Sequence, residues 1–334
     1  MTIEATTDAV LLREAAAHGL TRSMLRGASW SPVSRGLYQR YELAGQELQR
    51  LRTIGRVLPA TAAWSHYTGA RLMSLWLPPL PAGLPRFATV LPATTRPECD
   101  GLYVARSRAR WFEPVYGPGV ATLPAPLLLG QLAEDLALID LVVAIDRALH
   151  QGWCTPQQIS DAAMPYQRGV GRLRGGLALC DGRSESAYET VLRAFHRMCG
   201  FSVTPQYKVQ DSQGRVVARS DLRIDGTTRL PEYDGGEHRR RDRHHDDLRR
   251  EKTLARLGMD RYGYTADEIL LTSDRLLRDA EEACGLSHEP RRLRRWLVEA
   301  RRSSLLPEGW RLLHERLRRF DNCRTRPHPR PEPR

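Results

Sequence analysis

The chain has 334 residues, a formal net charge of +12 and 41% apolar residues. That length holds more than one domain with a sizeable core, and that composition excludes a disordered chain. No stretch approaches the roughly 18 consecutive apolar residues of a transmembrane helix, and six cysteines scattered without a CxxC pair point to a reducing compartment and away from a zinc site.

The opening residues, Met-Thr-Ile-Glu-Ala-Thr-Thr-Asp, are acidic and lack a signal-peptide pattern, so the cytoplasm is the expected location. Ala9 to His18 is expected to form a helix ended by Gly19. Thr21 is placed to cap a second helix running to Gly27. Trp30 to Gln39 alternates apolar and polar residues around a turn at Gly36, as a small β-wing does. On His18-Gly-Leu-Thr-Arg-Ser-Met-Leu-Arg-Gly and Val33-Ser-Arg-Gly-Leu-Tyr, residues 1–56 resemble the winged-helix domain of abortive-infection-type antitoxins and their transcriptional-regulator relatives. The resemblance implies a helix in the DNA major groove, with Arg22 and Arg26 on it. A helical cap serving protein contacts is the alternative.

Residues 57–176 form a middle α/β region. Thr61 to Leu77 has helical spacing and ends at Pro78-Pro79. Ser65 and His66 are adjacent, and neighbours on a helix do not face each other, so packing is their expected role. Phe87 to Leu91 and Gly101 to Ala105 read as strands, and Leu127 to His150 as an apolar helical region of the core. The glycine-rich run from Gly169 to Gly176 is expected to be a linker, because no strand precedes it.

The stretch 219–238 carries most information. Val216 to Ile224 alternates in strand fashion, and Asp225-Gly226 is a two-residue turn signal. A second short run ends at Tyr233. The expected β-hairpin pairs Ile224 with Thr227 and gathers Asp221, Glu232 and Asp234 on one face, the first two diagonal at roughly 7–8 Å. Carboxylates so gathered repel unless a cation or proton intervenes. Gly235-Gly236 allows a sharp exit, with His238 just beyond.

Ser186-Ala-Tyr-Glu-Thr-Val-Leu-Arg193 precedes these strands, with Glu189 and Arg193 four apart. The run Asp247-Leu-Arg-Arg-Glu-Lys-Thr-Leu254, then Gly258, follows them. On these blocks, residues 177–286 resemble the PD-(D/E)XK nuclease superfamily, in the branch related to very-short-patch-repair endonucleases. The resemblance implies a restriction-endonuclease-like mixed sheet flanked by helices, within an α/β (α+β) chain. It implies an endonuclease of DNA, in defence or repair, that depends on Mg²⁺ or Mn²⁺. Asp221, Glu232 and the Tyr233 carbonyl would hold the ion, Asp234 or His238 would handle the water, Glu189 would support a bound water, and Arg250 would contact phosphate or the carboxylates. The usual lysine of the superfamily is Asp234 here, Pro231 interrupts the second acidic strand, and Gly263 stands where relatives often carry Arg. The competing expectation is a DNA-binding regulator or antitoxin-like protein whose nuclease fold is not catalytic.

Residues 287–334 are basic, with fourteen Arg against five acids in 291–334. Arg291 to Arg302 and Pro307 to Phe320 are expected amphipathic helices with Trp296, Leu297, Trp310, Leu313 and Leu317 on their apolar faces. Asn322 to Arg334 reads as a tail without a core. The positive balance favours a polyanionic partner.

Overall fold

The apolar periodicities of the chain close over several buried clusters, each within one of two units. The structure, a computed structural model, describes residues 7–107, 112–116, 120–165, 167–235 and 250–323. The first unit comprises Met1–Ser74, Leu80–Pro124 and Leu317–Arg334, and the second Leu75–Pro79 and Ala125–Arg316. The middle region 57–176 is therefore shared between them. The fold is mixed α+β, with helices interleaved among several small sheets.

In the first unit, β1 (Ala9–Leu11), β2 (Trp30–Ser34) and β3 (Leu37–Arg40) form an antiparallel sheet in the order β1-β3-β2. The expected helix from Ala9 is thus a strand followed by a 3-10 turn, Leu12–His18. The consecutive buried residues Ala9, Val10 and Leu11 fit a strand closing a small core better than a one-sided helix. Gly19 ends that turn at φ +66°. Thr21 does cap α1 (Arg22–Leu25), accepting from the Met24 N–H at 3.2 Å, but the helix has only four residues. After α2 (Glu47–Gly55) comes β4 (Ala63–Trp64), and only then α3 (His66–Leu72). The remaining strands, β5 (Arg86–Val90), β6 (Leu102–Arg106), β7 (Val115–Tyr116) and β8 (Ala121–Thr122), complete a sheet of order β6-β5-β4-β8-β7.

Ser65 and His66 contradict their expected separation. His66 has φ +46°, and its Nδ1 lies 3.0 Å from Ser65 Oγ in a buried contact. A left-handed residue at a helix start turns its side chain back toward its neighbour, so the geometry of a regular helix does not apply there. His66 stacks on Phe87 with centroids 5.3 Å apart. Burial, then the charge of Arg319, drives its imidazole down to about 3.

The second unit begins with α4 (Ala125–Leu132), α5 (Leu138–His150), α6 (Pro156–Ala162) and α7 (Val170–Leu179). The glycine-rich run expected as a linker is most of α7. Its glycines bring helices close: a Cβ at Gly176 would sit 2.8 Å from Ile145 Cδ1, and one at Gly169 would lie 2.2 Å from the Ala133 carbonyl oxygen. Next come α8 (Ala187–Met198), β9 (Val203–Gln210), β10 (Val216–Ile224), β11 (Arg229–Tyr233), a helical stretch at 250–256 (α9), and β12 (Asp260–Tyr264). They are followed by α10 (Ala266–Leu270), α11 (Asp274–Ala283), α12 (Leu293–Arg302) and α13 (Pro307–Leu317).

One core joins Val142 of α5, Val191, Leu192 and Phe195 of α8, Leu222 and Ile224 of β10, Tyr264 of β12 and Trp296 of α12. Trp296 is fully buried and donates from Nε1 to the Ile269 carbonyl at 3.2 Å. Trp310 and Leu297, expected on apolar faces, are 40% and 38% exposed. Arg193 is fully buried as well. Its Nη2 donates to Asp146 Oδ2 at 2.5 Å, and Asp146 also accepts from Thr190 Oγ1 and the N–H groups of Asp181 and Gly182. A buried carboxylate needs such donors, since it has given up its water. The pair ties α5 to α8 and fixes where Glu189 emerges.

Candidate acidic site

The turn expected at Asp225-Gly226 is present: Gly226 has φ +78°, and Thr227 N–H donates to the Ile224 carbonyl at 3.2 Å. The hairpin ladder beyond it is not. β10 pairs antiparallel with β9, and β11 pairs parallel with β12. Pro231 supplies the reason. Asp234 N–H donates to the Tyr264 carbonyl on β12, whereas Tyr233 N–H donates to Asp221 Oδ2 on β10, at 2.9 Å in both cases. Main-chain groups alternate sides along a strand, so the ring nitrogen of Pro231 shares the Tyr233 side. The missing donor faces β10, where a ladder bond would have been needed. As Pro231 implies for a short or edge strand, β11 ladders on one side only, to β12, in a two-stranded sheet, and Arg229 to Glu232 are all buried.

Asp221 therefore meets β11 through its side chain. Ser220, Leu222 and Ile224 are buried in the core, and Asp221 alternates out of that set. Burial drives its carboxyl up to about 7. The Tyr233 N–H opposes this, the charges of Glu189 and Glu232 add to it, and Arg250 opposes it. Glu189 and Glu232 are thus each within electrostatic reach of Asp221. The relation is not the diagonal of a hairpin ladder.

Glu232 is 4% exposed. Oε1 accepts from Arg250 Nη2, and Oε2 accepts from Arg261 Nε at 2.5 Å. Arg261 also donates from Nη2 to Asp234 Oδ1 at 3.2 Å. Arg250 Nη2 thus contacts the Glu232 carboxylate, and it also donates to the Arg219 carbonyl. Gly263 is accounted for by Asp234: a Cβ there would lie 2.0 Å from Asp234 Oδ2. Arg261, two residues earlier on the same strand, brings the cation instead.

Glu189 sits in the first turn of α8. Its N–H donates to the Ser186 cap at 3.2 Å, and its Oε2 accepts from the Glu185 N–H at 2.9 Å and from Gln206 Nε2 at 2.8 Å. Tyr188 stacks on Tyr233 with centroids 4.7 Å apart, which registers this turn against the end of β11. Sequence reasoning missed Arg261 and Gln206. Alternation around Arg261 in Asp-Arg-Tyr-Gly-Tyr was a readable signal, but nothing in the sequence marks Gln206. His238 lies outside the described residues, as do His244 and His245.

Among the described residues, no three His, Cys, Asp or Glu side chains are gathered closely enough to form a ligand set. The donor chemistry fits a hard cation held by fewer protein ligands. Mg²⁺ commonly takes one or two carboxylates, with water and substrate phosphate completing its shell. Asp221 Oδ1 accepts no hydrogen bond among the described residues. Each Glu232 oxygen keeps a second lone pair.

Arg22 and Arg26 are both exposed, at the start and the C-terminal cap of α1. Arg22 lines a cleft with Arg13, Arg35 and Tyr38. The acidic site and this basic surface belong to different units.

No family model matches the chain, and no curated protein matches it. Among solved structures it is similar to the crystal structure of the RV2827C protein from Mycobacterium tuberculosis. That likeness has 15% identity and a TM-score of 0.38, over 62% of this chain and 85% of that one. Among the described residues no helix is long and apolar enough to cross a membrane.

Proposed function

We propose that the second unit is a metal-dependent nuclease domain acting on DNA, and that α1 with its neighbouring wing contributes nucleic-acid affinity. The observation that carries this is Asp221, held by the Tyr233 N–H and within electrostatic reach of Glu189 and of Glu232, with its carboxyl raised to about 7 by burial and like charge. Such a cluster is costly for folding alone and suits binding a divalent cation.

Asp221 and Glu232, with the Tyr233 carbonyl, would hold the ion. When bound, Mg²⁺ or Mn²⁺ supplies Lewis-acid polarisation of a phosphoryl oxygen and acidifies a water. The Tyr233 N–H orients Asp221, and Arg250 and Arg261 fix Glu232. Asp234, held by Arg261, or else His238, would help position or deprotonate the attacking water. The proposed setting is the cytoplasm, in line with six unpaired cysteines.

The second reading is a non-catalytic DNA-binding regulator or antitoxin-like protein. It is favoured by one observation: both Glu232 oxygens are already engaged by arginines. Mn²⁺ titration and cleavage of supercoiled and linear DNA, with wild type and Asp221→Asn, separate the two. The nuclease reading expects Mn²⁺ binding and cleavage that Asp221→Asn loses. A wild type that does neither, while still binding DNA, supports the regulator.

A further inference from the structure

Gln206 has φ +51°, in the left-handed region. A side-chained residue holds that conformation only where its surroundings over-determine it. It lies in β9 opposite Asp221. Tyr207 pairs with Ser220 and Pro205 with Leu222, and between them the 206–221 pair drops out of the ladder. The Gln206 side chain reaches α8, where Nε2 donates to Glu189 Oε2 at 2.8 Å.

Two donors therefore load one oxygen of Glu189, the second being the Glu185 N–H. Among the described residues Glu189 Oε1 accepts no hydrogen bond. We propose that Gln206 is a positioning residue: by holding Glu189 through Oε2 it leaves Oε1 for a water of a divalent ion bound at Asp221 and Glu232. The inference rests on the metal-dependent reading above. The electrostatic coupling of Glu189 to Asp221 supports their proximity.

A purely architectural role accounts for less. Ser186 already caps α8, and the Glu185 N–H already ties down Glu189. A glycine at 206 would adopt the same φ without crowding of Cβ. What glycine cannot supply is the amide donor.

The test uses the full chain and Mn²⁺ alone as probe. Calorimetric titration is run on wild type, Asp221→Asn, Gln206→Gly and Gln206→Met, and thermal unfolding is followed without metal. Wild type is expected to bind and Asp221→Asn to lose binding. Gln206→Gly is expected to bind about 10–100-fold more weakly, as removal of an outer-shell partner does. Its unfolding temperature should be unchanged or higher, because the strained φ is relieved. Gln206→Met, which keeps length but removes the donor, should weaken binding similarly. Unaltered affinity in both Gln206 variants, with Asp221→Asn still defective, overturns the positioning role and leaves the metal site standing. A Gln206→Gly protein that loses affinity only along with its folded state assigns an architectural role and overturns the proposal. Equal absence of binding in wild type and Asp221→Asn removes the metal reading, and this inference with it.

Discussion

The backbone N–H of Tyr233 donates to Asp221 Oδ2 at 2.9 Å, so two adjacent strands that share no ladder are joined by a side chain where a main-chain carbonyl would ordinarily serve. This ties an ionisable group to the packing of β11, and stability and site chemistry become linked there.

Asp221 should make the protein more stable as pH falls. Its folded value, about 7, lies above the ordinary carboxylate value of about 3.9, so the folded state binds the proton first. Its contribution is favourable below the unfolded value and is lost as pH rises through about 7. Asp221→Asn keeps an oxygen for the Tyr233 N–H and removes the charge. Chemical denaturation at pH 4 and pH 8 should show the variant gaining on wild type at pH 8, by on the order of 2–4 kcal/mol, and little difference at pH 4. The same gain at both pH values would sink the assignment.

Two buried histidines act in the opposite direction. Burial lowers His66 to about 3, with help from Arg319, and lowers His196 to about 4 against the hydrogen bond to the Leu192 carbonyl. Both stay neutral in the folded chain while they charge in the unfolded chain below about 6.5. Their contribution is complete above that pH and is lost as pH falls toward 4. His196→Gln, although less stable overall, should show a shallower loss between pH 6.5 and 4 than wild type. Parallel profiles would show that His196 does not titrate differently on folding.

Arg193→Met should destabilise the second unit by about 3–5 kcal/mol, since it strands the buried Asp146 charge with only neutral donors. The double variant Arg193→Met, Asp146→Leu should recover part of that loss. Urea denaturation of all variants reads this directly, and a fully additive double variant would argue against a coupled pair.

Gly263→Ala should displace Asp234 from Arg261, because the new methyl would fall 2.0 Å from Asp234 Oδ2. Because the displaced atom is the free end of a partly exposed carboxylate, the expected cost is the loss of the Asp234–Arg261 pair, about 0–1 kcal/mol. A loss of several kcal/mol in urea denaturation of Gly263→Ala would show that Asp234 does not swing aside as expected.

Arg22→Ala with Arg26→Ala should weaken DNA binding uniformly across sequences. If both contact phosphates, the slope of log K against log salt should become shallower by about 1.8. Fluorescence anisotropy at several salt concentrations measures it, and an unchanged slope would place the DNA contact elsewhere.

Local chemistry was readable along the chain wherever a few adjacent residues decide the outcome. Thr21 capping α1, Gly19 and Gly226 at positive φ, the span of β10, and the helix bearing Glu189 all follow from cap, turn and alternation patterns, which act within a few residues. The carboxylates were legible as a group for the same reason, lying close together in sequence around one strong turn. Tertiary structure decided what those patterns leave open. Whether β10 takes β11 or β9 as its ladder partner depends on where the missing N–H of Pro231 points once β12 has claimed the other side of β11. Whether glycines make a linker or a helix depends on a second helix close enough to need their lack of Cβ, as α5 is for Gly176. Arg261 and Gln206 reach the acidic residues from other strands, and only folding sets a guanidinium or an amide against carboxylates 27 or 17 residues away in the chain.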